Sequence, residues 1–284
     1  MPDFLTGFLD NWWHTLLIIG AYVGAVAVIE RLRPAEPGQP WRGMLFNLHY
    51  GVWSTAVFVA ITPWLTAYAT GAVRDVAPGW LTWGEALSLP AKIGIALAYL
   101  VAYDLCYYTF HRLQHGWPLL WRQHLLHHSD YAVNATTTFR HHWLEEPLKV
   151  FIVVVPLAVL FAAPPALTGV AAIVVAAWPV FIHANMRVGF GPGHWLLTSP
   201  QTHRVHHSRL GEHTDRNFAV FFPAIDRLFG TWYEPRPGEY PPTGLHDGRR
   251  IETQREAFFS PFMRDPPAAA RAVAPPAGDT AAPR

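Results

Sequence analysis

The sequence predicts an all-α integral membrane bundle, of about four spans or of three spans plus a re-entrant hairpin, with a cytoplasmic helical cap carrying clustered histidines. Three observations predict it. Only 14% of the 284 residues are charged, against about 25% in an ordinary soluble domain. Apolar residues gather in four long runs. Sixteen histidines are present, and they crowd between and after those runs.

The first run is "WHTLLIIGAYVGAVAVIE", residues 13–30. Asp3 and Asp10 stand where a signal peptide would be basic, and no small-residue cleavage site follows, so this run reads as a retained span. The second run covers about residues 46–70, with Pro63 expected to kink it. The third is "AKIGIALAYLVAYDLCYYTF", residues 91–110. A spanning helix needs about 20 apolar residues. Residues 149–182 exceed that and are broken at Pro164-Pro165, so they read as a hairpin of two short helices, spanning or re-entrant.

Sidedness follows from the arginines. Arg31, Arg33 and Arg42 follow the first span, whereas residues 71–90 carry Arg74 with Asp75 and Glu85. Basic loops stay cytoplasmic. Every dense histidine cluster then emerges on that same cytoplasmic face.

Composition excludes several classes. A net charge of +1 gives no case for nucleic acid. The single cysteine, Cys106, rules out an internal disulfide or a four-cysteine cluster and reads as a packed small residue. No Gly-x-Gly-x-x-Gly fingerprint or cysteine set for an iron–sulfur cluster occurs. Three regions are expected: N-terminal transmembrane helices over 1–100, a catalytic domain over 101–235, and a C-terminal extension over 236–284, disordered from about 265.

The histidines repeat a spacing. "HRLQH" holds His111 and His115, "HLLHH" holds His124, His127 and His128, and "HRVHH" holds His203, His206 and His207. On a helix, positions i, i+3 and i+4 lie close together. Two imidazoles so placed can close on one metal, and the third can reach a second metal nearby. His183, at the hairpin's return, is the ninth candidate. Nine imidazoles are too many for one zinc, which takes three or four protein ligands. They fit two metals with four or five nitrogens each. Imidazole suits zinc, copper, iron and nickel alike, so spacing does not choose among them. His14, His49, His194, His213 and His246 are isolated and read as non-ligands; His141 and His142 are intermediate, with His142 a candidate tenth ligand or support.

These boxes, with "YDLCYYTFHRLQH", "LWRQHLLHHSD", "NATTTFRHHWLEE", "HANMR", "TSPQTHRVHHS", "TDRNF" and "FPAIDRLFGTW", resemble the fatty acid hydroxylase / sterol desaturase superfamily of integral membrane di-iron oxygenases. The resemblance runs from about Asp104 to Trp232. It implies two iron ions held by His111, His115, His124, His127, His128, His183, His203, His206 and His207, with no catalytic residue separate from the metal centre. It implies dioxygen as co-substrate and hydroxylation or desaturation of a lipid, fatty acyl, sterol or related. Asp104, two turns before His111, is then a candidate to orient a ligand imidazole, with Asn185 and Asn217 as weaker candidates; Asp226 and Arg227 would brace the closing segment. Arg187 stands where some hydroxylases have a histidine, and His142 is followed by Trp143 rather than proline, which leaves the tenth position open.

Trp117, Trp121 and Trp143 read as interfacial aromatics. Electrons would come from a separate protein of ferredoxin or cytochrome type, with Arg204, Arg209 and Arg216 as a docking patch. The compact, alanine-rich chain suggests a bacterial inner membrane. A histidine-rich divalent-metal transporter is the alternative, and a membrane zinc hydrolase a third reading. A transporter should carry its ligands at mid-membrane, and the hydrolase motif His-Glu-x-x-His is absent.

Overall fold

The computed structural model describes residues 2–74, 77, 79–82, 84, 86–162 and 165–263. Pro164, Asp75, Glu85 and the tail expected to be disordered lie outside them.

The fold is helical. Among the described residues, three helices are long and apolar enough to cross a membrane: α1 (Pro2–Ile29), α2 (Trp41–Arg74) and α3 (Leu89–Gly116). The chain is an integral membrane protein. All three helices extend beyond the apolar runs. At 1.5 Å per residue the 34 residues of α2 reach about 50 Å, against a hydrocarbon core of about 30 Å. Its first turns serve the cap: Asn47 donates to Asp130 and Thr136, and the Tyr50 hydroxyl accepts from the Trp143 backbone. Pro63 sits inside α2, where it removes one backbone donor.

Helix α3 ends where Pro118 opens α4 (Pro118–His128), because the residue before a proline is driven out of the helical region. The hairpin is more broken than the prolines alone suggest. Helix α5 (Glu145–Lys149) widens into a π turn at Val150–Val154 and continues as α6 (Val155–Leu160). Pro156 has no N–H to give to the carbonyl four residues back, and the Val155 N–H bonds Val150 O instead. A two-residue strand, Phe161–Ala162, then pairs parallel with Leu81–Thr82, and α7 (Pro165–His183) returns. Gly79, at φ 90°, passes so close to Ala162 that a Cβ would collide with its backbone.

The two ends of the bundle are distinct. One end holds residues 80–82 against residues 160–162. The other holds all the clustered histidines together with the arginine-rich connection: Ala35 donates to Asn185 O, Arg187 to Pro34 O and Ala35 O, and Arg204 pairs with Glu36 at 2.7 Å. The arginine-rich loop and the histidine boxes therefore share a face.

Apolar packing fixes the elements around the site. Tyr107 and Phe110 of α3, Val153, Leu157, Ile182 of α7, Val220 and Phe221 form one buried cluster. Burying a side chain such as Phe110 stabilises by about 2–3 kcal/mol. Val23 and Val26 of α1 pack on Ala135, Val180 and Ala184 in another. Two more short helices complete the cap, α8 (Pro200–His206) and α9 (Pro223–Leu228), and α10 (Gln254–Phe259) packs against α2.

Candidate metal centre

The nine histidines meet in two groups. His111, His115, His124, His128 and His206 form one; His127, His183, His203 and His207 form the other. Within each, one ring nitrogen per residue lies within 4.8 Å of all the rest. Helix geometry explains the division. The i, i+4 pairs 111/115, 124/128 and 203/207 each stay on one face and enter one group. His127 and His206, at i+3 of their boxes, turn toward the opposite group.

Ring tautomers are set by the surroundings. His111 Nδ1 donates to Phe218 O at 2.9 Å, His206 Nδ1 to Arg216 O at 2.8 Å and His183 Nδ1 to Pro179 O at 2.6 Å. A carbonyl only accepts, so each Nδ1 carries the proton and each Nε2 presents a lone pair. His115 Nδ1 faces the Asp215 carboxylate at 3.0 Å. Three residues of one loop, Asp215, Arg216 and Phe218, thus orient three imidazoles of the five-histidine group. Asp215 and Asn217 have φ 56° and 57°, a left-handed turn that Asp and Asn tolerate.

The residues fit a bound transition-metal ion. His183 Nε2 lies 3.0, 3.2 and 3.0 Å from the Nε2 atoms of His127, His207 and His203. A neutral ring holding its proton at Nδ1 has none to offer three such neighbours. Two nitrogens about 2.1 Å from one ion, at about a right angle, stand about 3 Å apart. His206 Nε2 is buried with no hydrogen-bond partner among the described residues. An all-imidazole set suits zinc, copper, iron or nickel.

Burial and the neighbouring imidazoles push His127, His128, His203, His206 and His207 well below the ordinary histidine range. Burial pushes His124 to about 4, against the opposing pull of Glu145. The ring nitrogens are thus neutral, as binding requires.

Four supporting assignments change. Asp104 touches no imidazole. Its fully buried carboxylate accepts the backbone N–H groups of Val220, Phe221 and Phe222 at 2.8, 3.0 and 2.7 Å. It holds the segment that follows Phe218, whose carbonyl accepts from His111. Asn185 ties the arginine-rich loop, accepting from Glu36 N and donating to Glu36 O. Asn217 clamps Tyr233 and Thr202 O. His142 commits Nε2 to Phe258 O and Nδ1 to Leu144 N, so neither nitrogen is free for a tenth contact. Asp226 does brace the closing segment, accepting from Phe218 N, Ala219 N and Thr231. Arg227 reaches Glu234 and stacks on Trp232.

Two carboxylates were not singled out in the sequence. Glu145 is fully buried, 2.8 Å from His141 Nδ1 and 3.6 Å from His124 Nδ1. Burial alone would raise it, but His141, His124 and Lys149 outweigh that and hold it well below the usual carboxylate range. His141 stacks on His127 with ring centres 4.0 Å apart. The other is Asp215. Sequence offers a signal for Glu145, an acid three residues after the His141-His142 pair in "FRHHWLEE"; Asp215 in "TDRNF" has only its place in the family-like motif. Arg204, by contrast, is buried, donating to Pro241 O and pairing with Glu36, so it cannot dock a partner. Trp121 packs against His115 at 5.1 Å, whereas Trp117 is exposed.

A sequence model described as fatty acid hydroxylase matches residues 96–231, the segment that contributes every histidine of both groups. Over those residues, just under half of the chain, it is similar to the fatty acid hydroxylase family. It is 33% identical over 129 residues to an alkylglycerol monooxygenase of Xenopus tropicalis, covering 45% of this chain and 28% of that protein. It is 29% identical over 231 residues to an ornithine lipid hydroxylase of Rhizobium tropici, covering 78% and 69%. A very-long-chain aldehyde decarbonylase of Oryza sativa is 26% identical over 194 residues, covering 63% and 28%. The chain thus spans about 28% of the alkylglycerol monooxygenase it matches. No solved structure matches it.

Proposed function

We propose that this chain is a membrane-bound di-iron oxygenase that uses dioxygen and external electrons to hydroxylate or desaturate a lipid C–H bond. One observation carries the reading. A cavity of about 480 Å³ runs between α1, α2, α3 and α7, and its walls include His127, His183 and His203 of one histidine group and His111 of the other. Below them the walls are largely apolar, with Phe58, Val153, Val175 and Val180. An alkyl chain placed there presents its C–H bonds to the nitrogen-rich end, away from bulk water.

The five-histidine and four-histidine groups would each hold one iron. When bound, the two ions supply the dioxygen chemistry that an unactivated C–H bond requires. The chain's own residues do the rest. Phe218 O, Arg216 O, Pro179 O and Asp215 fix ring orientation. The apolar walls orient the chain and exclude water.

Electrons come from a separate ferredoxin-type or cytochrome-type protein. Arg209 and Arg216, on the histidine face, support that approach; Arg204 does not. The shared face of the arginine-rich loop and the boxes supports a cytoplasmic site in a bacterial inner membrane. A metal transporter is disfavoured by placement, since the histidines sit at helix ends rather than at mid-span.

The test is metal analysis of detergent-purified protein expressed with iron, followed by incubation with lipids, a reductant and dioxygen. About two irons per chain and an oxygenated or desaturated lipid are expected. A chain that binds less than one metal, or oxidises no lipid with both ions present, would end the reading.

A further inference from the structure

A second hollow adjoins the cavity on the lipid side. A groove of about 610 Å³ lies between α1 and α2, with Phe8, Asn11 and Thr15 on one wall and Val59 and Pro63 on the other. Both walls belong to spanning helices, so bilayer hydrocarbon rather than water surrounds the groove. Among the described residues, Phe58 is the one that lines both the groove and the cavity that holds the histidines.

Helix faces place Phe58 at the junction. On α1, Thr15 faces the groove, and Ile19, one turn on, faces the cavity. On α2, Thr55, Phe58 and Thr62 share the stripe that faces the cavity. Val59 and Pro63, one turn apart, share the stripe that faces the groove. Phe58 stands where the two stripes meet and is 36% exposed.

The seam between the two helices is loosely held. The first buried residue of α1 is Val23. With Val26 and Glu30 it anchors the end beside the histidines, where Glu30 accepts from Ala135 N and Asn185 N. From Leu5 to Tyr22 every residue is exposed or half-buried. Trp12 Nε1 bridges this stretch to α2 by donating to Val52 O at 3.1 Å. Pro63 leaves the Val59 carbonyl without its helical donor, which weakens α2 beside the groove. The seam among α3, α6 and α7 differs, since buried Tyr107, Val153, Leu157 and Ile182 fill it. A chain entering there would have to displace a packed core.

Resting on the oxygenase reading, we infer that the α1/α2 groove binds a lipid alkyl chain taken directly from the bilayer, and that Phe58 is the gate through which that chain passes into the cavity. The outer part of α1 moves off α2 about its anchored end, the Trp12–Val52 contact parts, and the phenyl ring turns aside. The methylenes never meet water on the way, so no apolar surface is hydrated. Val23, Val26 and Glu30 keep the histidine end packed while the seam opens.

The test follows entry rather than turnover. Iron-loaded protein in lipid nanodiscs is mixed with hexadecanol carrying a mid-chain photoreactive diazirine. It is irradiated after increasing delays, and labelled residues are identified by mass spectrometry. Groove residues of α1 and α2 should label first, and more heavily than the lipid-facing Ile93 and Leu97 of α3. Labelling of Ile19, Tyr103 and Val175 in the cavity should follow. Phe58→Ala should speed cavity labelling about tenfold, the rate change of a barrier lowered by one aromatic packing contact. Phe58→Trp should slow it, and Trp12→Phe, which removes the indole donor, should speed it. Unchanged iron content shows that each variant is folded. Cavity labelling at one rate in wild type, Phe58→Ala and Phe58→Trp overturns the gate. Groove labelling no heavier than that of Ile93 and Leu97 overturns the groove as a binding site. Addition of reductant and dioxygen with a panel of lipids then separates the two readings. Gated entry without any oxidised lipid defeats the oxygenase and leaves the portal. Oxidised lipid with ungated entry defeats the portal and leaves the oxygenase.

Discussion

His111 and Phe218 are 107 residues apart, yet the His111 Nδ1–H donates to the Phe218 carbonyl at 2.9 Å. The contact joins the end of a membrane helix to a loop of the cap. Phe218 itself is held by Asp226, and the segment after it by Asp104. Both carboxylates are buried beneath the histidines and accept only backbone or hydroxyl donors. Orientation of the five-histidine group thus depends on residues that touch no imidazole.

Asp104→Ala should therefore act on fold and metal together. It leaves three buried N–H groups unpaired, and each hydrogen bond to a charged acceptor is worth about 1.5–3 kcal/mol. Because the carboxylate's own cost of burial is removed as well, a net loss of about 3–5 kcal/mol is expected, with lowered metal content. Thermal melting beside elemental analysis checks this. Asp104→Asn should recover part of the stability, because its oxygen still accepts.

Asp215→Ala should behave differently. Asp215 is 63% exposed, so its removal should barely move the melting temperature. Its bond to His115 Nδ1 orients a ring of the five-histidine group, and loss of such a support typically weakens metal binding about 10- to 100-fold. A chelator competition run on wild type and variant would reveal it. Unaltered affinity would mean that His115 is oriented without Asp215.

The contrast between Asp104 and Asp215 shows what the sequence carries. The spans, the sharing of one face by boxes and arginines, and the nine histidines are all written in local pattern: hydropathy, charge bias and i, i+4 spacing. Supporting residues are not. Asp104 lies two turns from His111, a spacing compatible with imidazole contact, but its partners come from residues 220–222, more than a hundred positions away. In sequence His142 is a candidate tenth ligand or support, yet Phe258 of the C-terminal extension claims its Nε2. In sequence Arg204 reads as part of a docking patch, whereas in the fold it is buried and paired with Glu36 from another loop. Each miss involves a tertiary partner that no periodicity announces.

Acidification of the metal-free protein should lower its stability over a defined window. Burial first, then neighbouring rings, keeps the cap imidazoles neutral, with His124 pushed to about 4. An unfolded histidine takes its proton near pH 6.5. Between about pH 6.5 and 4 the unfolded chain binds more protons than the folded one, so stability rises with pH there and falls on acidification. Chelator-treated protein melted at intervals from about pH 7.5 to 4.5 should show that slope, and His124→Gln should make it shallower. A flat profile would mean that these rings are protonated in the folded state.

Two substitutions one residue apart should separate the two groups. His206 belongs with His111, His115, His124 and His128; His207 belongs with His127, His183 and His203. Both sit at the end of α8, with near-identical burial at 4% and 0% exposed. His206→Ala removes one nitrogen of five, and the remaining four can still surround an ion. His207→Ala removes one of four and leaves a three-nitrogen site. The expected result is retention of about two metals in His206→Ala, more weakly held, and loss of about one in His207→Ala. Metal per chain after dialysis against a graded chelator measures both. The same loss in the two variants would show that the groups act as one cluster, and the division by helix face would have no consequence for binding.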